Sequence, residues 1–229
     1  GGWGWFRSDP SAPSGNVYLT AYVLHALTEL READVFVPDG ALQAASKHLL
    51  AARNPQGLWS GKGAFFWEAS NEASDLALSA EIFRVLVAAG ALGEKDLAPL
   101  EDRMLGYLDG QPAEPLGVAN AVGGLMTLAR RRKDEALTQR LAGSIDRLIA
   151  LKRQAHWEPH WYHAYGGMVE LNARILELLS EFDAARYDTH VRELTTWLLA
   201  TRTAWGAWHN TMGTAAAVRC KELGLSCLV

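Results

Sequence analysis

A short motif rich in glycine and aromatic residues recurs along this chain at a spacing near fifty residues. It opens the sequence as GGWGWF and returns as GLWSGKGAFFW, AHWEPHWYHAYGG and AWGAWHN. Its leading tryptophans, 56, 98 and 48 residues apart, are Trp3, Trp59, Trp157 and Trp205. A weaker copy, LDGQPAEPLG, falls in the double-length gap. A period of this length is typical of repeat architectures, in which one supersecondary unit is stacked many times.

Helical runs of two kinds follow the motifs, and the last motif is followed by a run of the first kind alone. The first run is apolar or small on nearly all sides, which indicates a helix buried all round; these runs cover residues 16–30, 74–90, 117–131, 168–182 and 211–224. The second has one apolar stripe and a charged back, over 41–53, 97–108, 137–153 and 187–202. No segment has the alternation of a strand. The repeating unit is therefore predicted to be an α-hairpin, an inner helix followed by an outer helix.

The predicted fold class is all-α, an α/α toroid of repeated helical hairpins with about five repeats present, in a single domain over residues 1–229. Small residues on the inner runs favour a ring over an open solenoid, because they let helices approach closely; examples are Ala77, Ala80, Ala119, Ala121, Gly123, Gly124, Ala215 and Ala216. The tryptophans Trp3, Trp59, Trp157 and Trp205 are expected at one rim, each donating its indole N–H to a loop carbonyl. The boundary residues predicted from helix signals are Asn16, Ser74 and Asp183 as N-caps and Gly90 and Gly224 as C-terminal glycines.

Charge and hydropathy exclude two classes of partner. The formal net charge is -4 and the pI is near 6.0, so the sequence lacks the basic footprint of nucleic-acid binding. It also lacks an apolar run long enough for direct membrane insertion. The basic run from Arg130 to Lys133 is interpreted as a solvated helix end. Cys220 and Cys227 do not have metal spacing, and both a disulfide and two free thiols remain open.

One cluster could in principle hold a metal ion. It comprises His156, Glu158, His160 and His163, whose nitrogen and oxygen atoms are of the types that bind zinc. However, Pro159 and two tryptophans interrupt it, and its spacing matches no metal signature. A structural aromatic turn is the favoured interpretation, and no metal site is predicted.

Acid–base chemistry would need carboxylates that converge on a cavity mouth. The candidates are Glu68, Glu72, Asp75 and Glu81, near or within the second inner run, where Asp75 also suits a cap. His25 is interpreted as a buried core histidine. The sequence has neither an aspartate-rich cluster of the terpene-cyclase kind nor a recognisable phosphate loop. No catalytic residue and no cofactor is therefore predicted.

Three segments carry a resemblance to a known family. They are NVYLTAYVLHAL after GGWGWF, SDLALSAEIFRVL after GLWSGKGAFFW, and AWGAWHNTMGTAAAV, whose final pattern is Trp208, Thr211, Thr214 and Ala215. In this order they resemble the thioester-containing domain of the alpha-2-macroglobulin and complement family, in its bacterial form. The resemblance implies an α/α toroid within a larger secreted or periplasmic protein that traps proteases. The partners it implies are other domains of the parent protein and, through the parent, target proteases.

The chain departs from that family at its reactive centre, because a Cys-x-Glu-Gln motif is absent from the sequence. The resemblance places the thioester upstream of Gly1, so we expect an N-terminally truncated, non-catalytic scaffold of a macroglobulin-like protease inhibitor. Because fold does not fix function, two alternatives stay open. One is an α/α-toroid enzyme of the terpenoid cyclase, prenyltransferase or polysaccharide-active type. The other is a binding module that uses the aromatic rim.

Overall fold

The computed structural model describes residues 1–4, 15–60, 72–159, 167–208 and 210–222, with the backbone alone at 72–74, 212 and 219–222. These residues form α-helices and, apart from one isolated bridge between Arg153 and His156, no β-structure. The helices are α1 (Val17–Glu32), α2 (Asp39–Ala51), α3 (Glu72–Ala88), α4 (Glu94–Asp109), α5 (Pro115–Arg132), α6 (Glu135–Ala150), α7 (Gly167–Asp183), α8 (Asp188–Ala200) and α9 (Thr211–Glu222). The predicted fold class, an all-α toroid of helical hairpins, is confirmed.

The helices form two layers. The odd-numbered helices contact one another in chain order, α1 with α3, α3 with α5, α5 with α7 and α7 with α9. Each even-numbered helix packs on the inner helix of its own hairpin. Helix α5 is buried along nearly its whole length, whereas α6 buries one stripe that includes Leu141, Ile145 and Leu148. The sequence therefore assigned the inner and outer helices correctly in the described part of the chain.

The predicted boundary residues have mixed outcomes. Asn16 caps α1 by accepting a hydrogen bond from a first-turn N–H, and Gly90 follows α3 with a positive φ of 67°. Ser74 lies inside α3 and does not precede it. Asp183 is the last residue of α7, and its carboxylate caps the following turn. Gly224 lies outside the described residues.

The basic run at the end of α5 joins neighbouring helices. Arg130 pairs with Glu181 on α7, and Arg132 pairs with Glu101 on α4. Arg131 donates to two carbonyls in the last turn of α3, where backbone acceptors lack partners within the helix. The run is a solvent-exposed helix end, as the sequence indicated, and in addition each of its three arginines binds an acceptor on another helix.

Helices α3 and α5 approach closely because α5 carries glycine on the shared face. A Cβ at Gly124 would lie 2.7 Å from a ring carbon of Phe83 and 3.1 Å from the Cα of Arg84. A Cβ at Gly117 would lie 3.2 Å from the Cα of Ala77. Backbone atoms cannot move away without displacing the helix, so these positions require glycine.

Replacing Gly124 with alanine should lower the free energy of unfolding by about 1–3 kcal/mol, because the added methyl overpacks this contact. Gly143 on α6 is a matched control, since a Cβ there has no neighbour within 4 Å. Alanine at position 143 should stabilise the protein by about 0.5–1 kcal/mol. Urea unfolding of both variants measures the two effects, and the same sign at both positions would contradict the packing described here.

Candidate functional site

Buried tryptophans cap the ends of the outer helices. Trp59, Trp157 and Trp208 are buried, and each donates its indole N–H to a backbone carbonyl at 2.7, 2.7 and 2.9 Å. The acceptors are the third residues from the ends of α2, α6 and α8, namely Leu49, Leu148 and Leu198. The last carbonyls of a helix have no N–H partner four residues on, and at Leu49 and Leu148 the indole adds to a 3.1 Å bond from the residue that follows the helix. The tryptophan of each motif therefore completes the hydrogen bonding of the preceding outer helix.

The four predicted rim tryptophans differ from one another in burial and in hydrogen bonding. Trp59 and Trp157 make the capping bond, and Trp3 is partly buried against the core. Trp205 is 95% exposed, in the turn before α9. Trp208, three residues further along, makes the capping bond of this repeat. The role predicted for Trp205 is therefore wrong.

A second hydrogen bond determines which tryptophan of a motif is the buried one, and it was not predicted from the sequence. The backbone N–H of each motif tryptophan donates to a polar side chain on the next inner helix, at 2.8–3.0 Å. The acceptors are Thr20, Ser79, Asn172 and Thr214, and each is followed directly by alanine. Asn120–Ala121 is the corresponding pair on α5, where no motif tryptophan precedes.

The third repeat uses its polar residue for a different purpose. Asn120 is buried, and its side-chain oxygen accepts from Nε of Arg84 on α3 at 3.0 Å. Gly123 leaves space beside the same arginine, since a Cβ there would lie 3.3 Å from its Cδ. In the repeat that lacks a motif tryptophan, Asn120 and Gly123 thus position the side chain of Arg84.

Arg84 lines a cavity of about 330 Å³ between four inner helices. The other walls include His25 and Glu29 of α1, Met126 of α5, and Glu177 of α7. We call this space the central cavity. It combines charged groups with an apolar wall, and its size lies within the range of small-molecule sites.

Arg174 of α7 is the hub of the charged groups. It is 7% exposed, with its Nη1 3.2 Å from Glu177 and 3.4 Å from Nε2 of His25. His25 in turn lies 3.3 Å from Glu29. Burial by itself lowers the pKa of Arg174, but four carboxylates outweigh it and hold that pKa above its usual value; they belong to Glu177, Glu170, Glu81 and Glu29. Four carboxylates around one guanidinium give this cluster an excess of negative charge, while the lining of the whole cavity carries four glutamates and four arginines.

Only part of this site was found among the sequence candidates. Glu81 is buried and contributes to the cluster around Arg174, and His25 lines the cavity. Asp75 is half-buried in the first turn of α3. Glu68 lies outside the described residues, and the side chain of Glu72 is not described. The signal for the missed residues was charge within runs predicted to be buried all round, where ionised groups need partners.

The candidate metal cluster is described only in part. His156 stacks on Trp197 with ring centroids 4.8 Å apart, and Glu158 pairs with Arg153. His160 and His163 lie outside the described residues, as do the thiols of Cys220 and Cys227. Across the residues that are described, no three His, Cys, Asp or Glu side chains are grouped to hold a metal ion. The prediction of no metal site therefore stays a prediction.

Comparison with known proteins relates the chain to others through its fold. No protein-family model matches it, and no curated protein matches it either. A solved structure it resembles is that of type II terpene cyclase MstE from Scytonema, a variant in complex with its substrate geranylgeranyl dihydroxybenzoate. The TM-score is 0.54 at 14% identity, over 94% of this chain and 64% of that one. The chain thus spans under two thirds of that protein. No helix among the described residues has the length and hydropathy to cross a bilayer.

This similarity corrects the sequence-based assignment. The predicted membership of the macroglobulin and complement family is wrong, because the structural similarity is to a terpene cyclase. The predicted role as a protease-inhibitor scaffold without enzymatic activity is contradicted by the same finding. At this identity the comparison establishes a shared α/α fold.

Proposed function

We propose that this protein is an α/α-toroid enzyme of the terpenoid cyclase type, with its active site in the central cavity. The observation that carries the proposal is the negative cluster around Arg174, enclosed by inner helices of a fold that the terpene cyclase shares. A cyclisation of an isoprenoid chain proceeds through a carbocation. Preorganised negative groups beside a developing positive charge are a principal source of catalysis.

The roles follow from the placement of the side chains. Glu29 and Glu177 line the cavity and would face a positively charged intermediate. Arg174 holds these carboxylates in position, so it is a positioning residue. The apolar wall, which includes Ala119, Met126 and Leu178, suits a hydrocarbon chain. In a cyclisation a proton adds at one end of the substrate and another leaves at the other end, so the product has the same mass.

A polysaccharide-active enzyme is a second candidate, favoured by one observation. Much of the cavity lining consists of charged or hydrogen-bonding side chains, such as Thr28, Glu32, Thr127 and Arg130. Such groups suit a hydroxyl-rich ligand. Cleavage of a glycosidic bond also proceeds through a cationic, oxocarbenium-like transition state, flanked by carboxylates. The same negative cluster would serve it.

Binding of a cationic probe tests the shared element of both candidates. N,N-dimethyloctylamine is protonated at neutral pH, and 1-octanol has the same chain without the charge. Calorimetry should show the amine binding at least tenfold more tightly than the alcohol, since charged contacts contribute about 1.5–3 kcal/mol. Glu177→Gln should weaken the amine roughly tenfold. Glu101→Gln, at an arginine-paired carboxylate on α4, is the matched control and should leave binding unchanged.

Product analysis then separates the two candidates. A compound of unchanged mass formed from geranylgeranyl dihydroxybenzoate supports the cyclase, and shortened products from an oligosaccharide panel support the second candidate. If the amine has no advantage over the alcohol and neither substrate is converted, the proposed function is wrong.

A further inference from the structure

Trp3 makes one of the two hydrogen bonds that are typical of a motif tryptophan. Its backbone N–H donates to Thr20 of α1 at 2.9 Å, as the other motif tryptophans do to their inner helices. Among the described residues, no carbonyl accepts from its indole N–H. Its ring is only partly buried, whereas Trp59, Trp157 and Trp208 are buried. Trp3 is therefore placed like the other three but lacks the helix end that they cap.

The three helix ends that bind a tryptophan share a sequence. Their last residues, together with the two that follow, are LLAAR at 49–53, LIALK at 148–152 and LLATR at 198–202. The first leucine supplies the carbonyl for the indole. The basic residue lies over the ring in two of the three, with Nζ of Lys152 5.7 Å from Trp157 and Cζ of Arg202 6.0 Å from Trp208, a favourable cation–π arrangement. A motif tryptophan thus recognises a helix end of the form Leu-Leu/Ile-Ala-x-Arg/Lys.

Helix α1 has an uncovered apolar face. It packs on α2 and α3, and no other described helix covers it to a comparable extent, whereas α3, α5 and α7 each have an inner helix on both sides. At 100° per residue, four apolar side chains lie opposite the buried face of α1. They are half-buried or exposed, and they are Leu19, Val23, Ala26 and Leu30. The inner layer is therefore open beside α1.

A second copy of this chain does not offer the missing helix end. The carbonyls of Leu49, Leu148 and Leu198 already accept from the indoles of their own repeats. Leu108, near the end of α4, accepts from the N–H of Gln111 and from Arg147. Each end among the described outer helices is thus occupied within its own chain.

We propose that Trp3 binds the C-terminal end of an amphipathic partner helix with the pattern Leu-Leu/Ile-Ala-x-Arg/Lys. The indole N–H of Trp3 donates to the carbonyl of the first leucine, and the basic side chain lies over the ring. The partner helix thereby takes the place that α2 takes beside Trp59, and the uncovered face of α1 leaves room for it. This site is independent of the function proposed for the central cavity.

A peptide copied from α2 tests the proposal. It spans residues 38–53 and carries Gln43→Glu with a lactam to Lys47; both positions are exposed in α2, so the link holds the helix without touching the recognised end. In two-dimensional NMR of the isotope-labelled protein, Trp3→Phe assigns the indole N–H signal of Trp3. Adding the unlabelled peptide should move that signal downfield and slow the exchange of its proton with water. The indole signals of the three buried motif tryptophans should stay in place.

Two protein variants and a second peptide make the test specific. Trp3→Phe should weaken peptide binding about five- to tenfold, as expected for one lost hydrogen bond. Trp205→Phe, at a tryptophan that is almost fully exposed, is the matched control and should leave the affinity unchanged. A peptide that also carries Leu49→Asp should not bind, because Leu49 is fully buried where α2 meets Trp59.

Three results with the peptide would overturn the proposal. They are an unchanged Trp3 signal at peptide concentrations up to about 1 mM, equal affinity of Trp3→Phe and the unmodified protein, and equal binding of the Leu49→Asp peptide. Sedimentation of the protein without peptide tests the other occupant. Self-association that Trp3→Phe abolishes would assign this site to a second copy of the chain and overturn the proposal as well.

Discussion

Replacing Trp157 with alanine should lower the free energy of unfolding by about 3–5 kcal/mol, the usual cost of deleting a large buried side chain. Trp157 is fully buried, donates its indole N–H to Leu148 and has Lys152 5.7 Å above its ring. The same change at Trp205, which is almost fully exposed, should alter stability by less than about 0.5 kcal/mol. Urea unfolding of the two variants provides the comparison.

Trp157→Phe separates the hydrogen bond from the packing. Phenylalanine keeps most of the apolar surface but removes the shorter of the two hydrogen bonds to the carbonyl of Leu148, which keeps the bond from the N–H of Leu151, so the change should cost about 0.5–1.5 kcal/mol. Equal losses for alanine at positions 157 and 205 would show that Trp205 is the structural tryptophan of its repeat, contrary to the register described here.

Replacing Arg174 with methionine should also cost about 3–5 kcal/mol, because it removes one partner from a buried group of charges. Glu81 and Glu170 are buried, and without the guanidinium their negative charges oppose each other in a poorly solvated place. The pair Arg140–Asp109 is the matched control, since both side chains are about half exposed. Arg140→Met should cost under about 1 kcal/mol.

A second substitution shows whether charge is the cause. Adding Glu170→Gln to Arg174→Met removes one of the opposed carboxylates, so the double variant should recover part of the lost stability. If the double variant is less stable than Arg174→Met alone, the loss comes from packing, and the electrostatic account of Arg174 fails.

The helices and their layers were predictable because the spacing of apolar residues along the sequence follows which faces of each helix are buried. A run such as 117–131 is apolar on all sides, and the helix it forms is buried on all sides. The position of the structural tryptophan in the last motif was not predictable from that spacing, since AWGAWHN holds two tryptophans three residues apart. The choice depends on Thr214, whose hydroxyl accepts from the N–H of Trp208.

The central cavity was mostly missed because its residues are far apart in sequence. Glu29 and Glu177, which line it, lie on α1 and α7, and neither was among the sequence candidates. Only the packing of the inner helices brings these two carboxylates close to Arg174, together with Glu81 and Glu170. The family assignment failed for a related reason: aromatic turns and small inner residues reflect how a toroid packs, and unrelated functions share that packing.

The most direct test of the central claim is a crystal structure of the protein with bound N,N-dimethyloctylamine. The account predicts the ammonium nitrogen within about 4–6 Å of the carboxylates of Glu29 and Glu177, the range over which opposite charges stabilise each other. The alkyl chain should lie along the wall that contains Met126 and Leu178. An ammonium group bound elsewhere, with the central cavity empty, would contradict the assignment of this cavity as the active site.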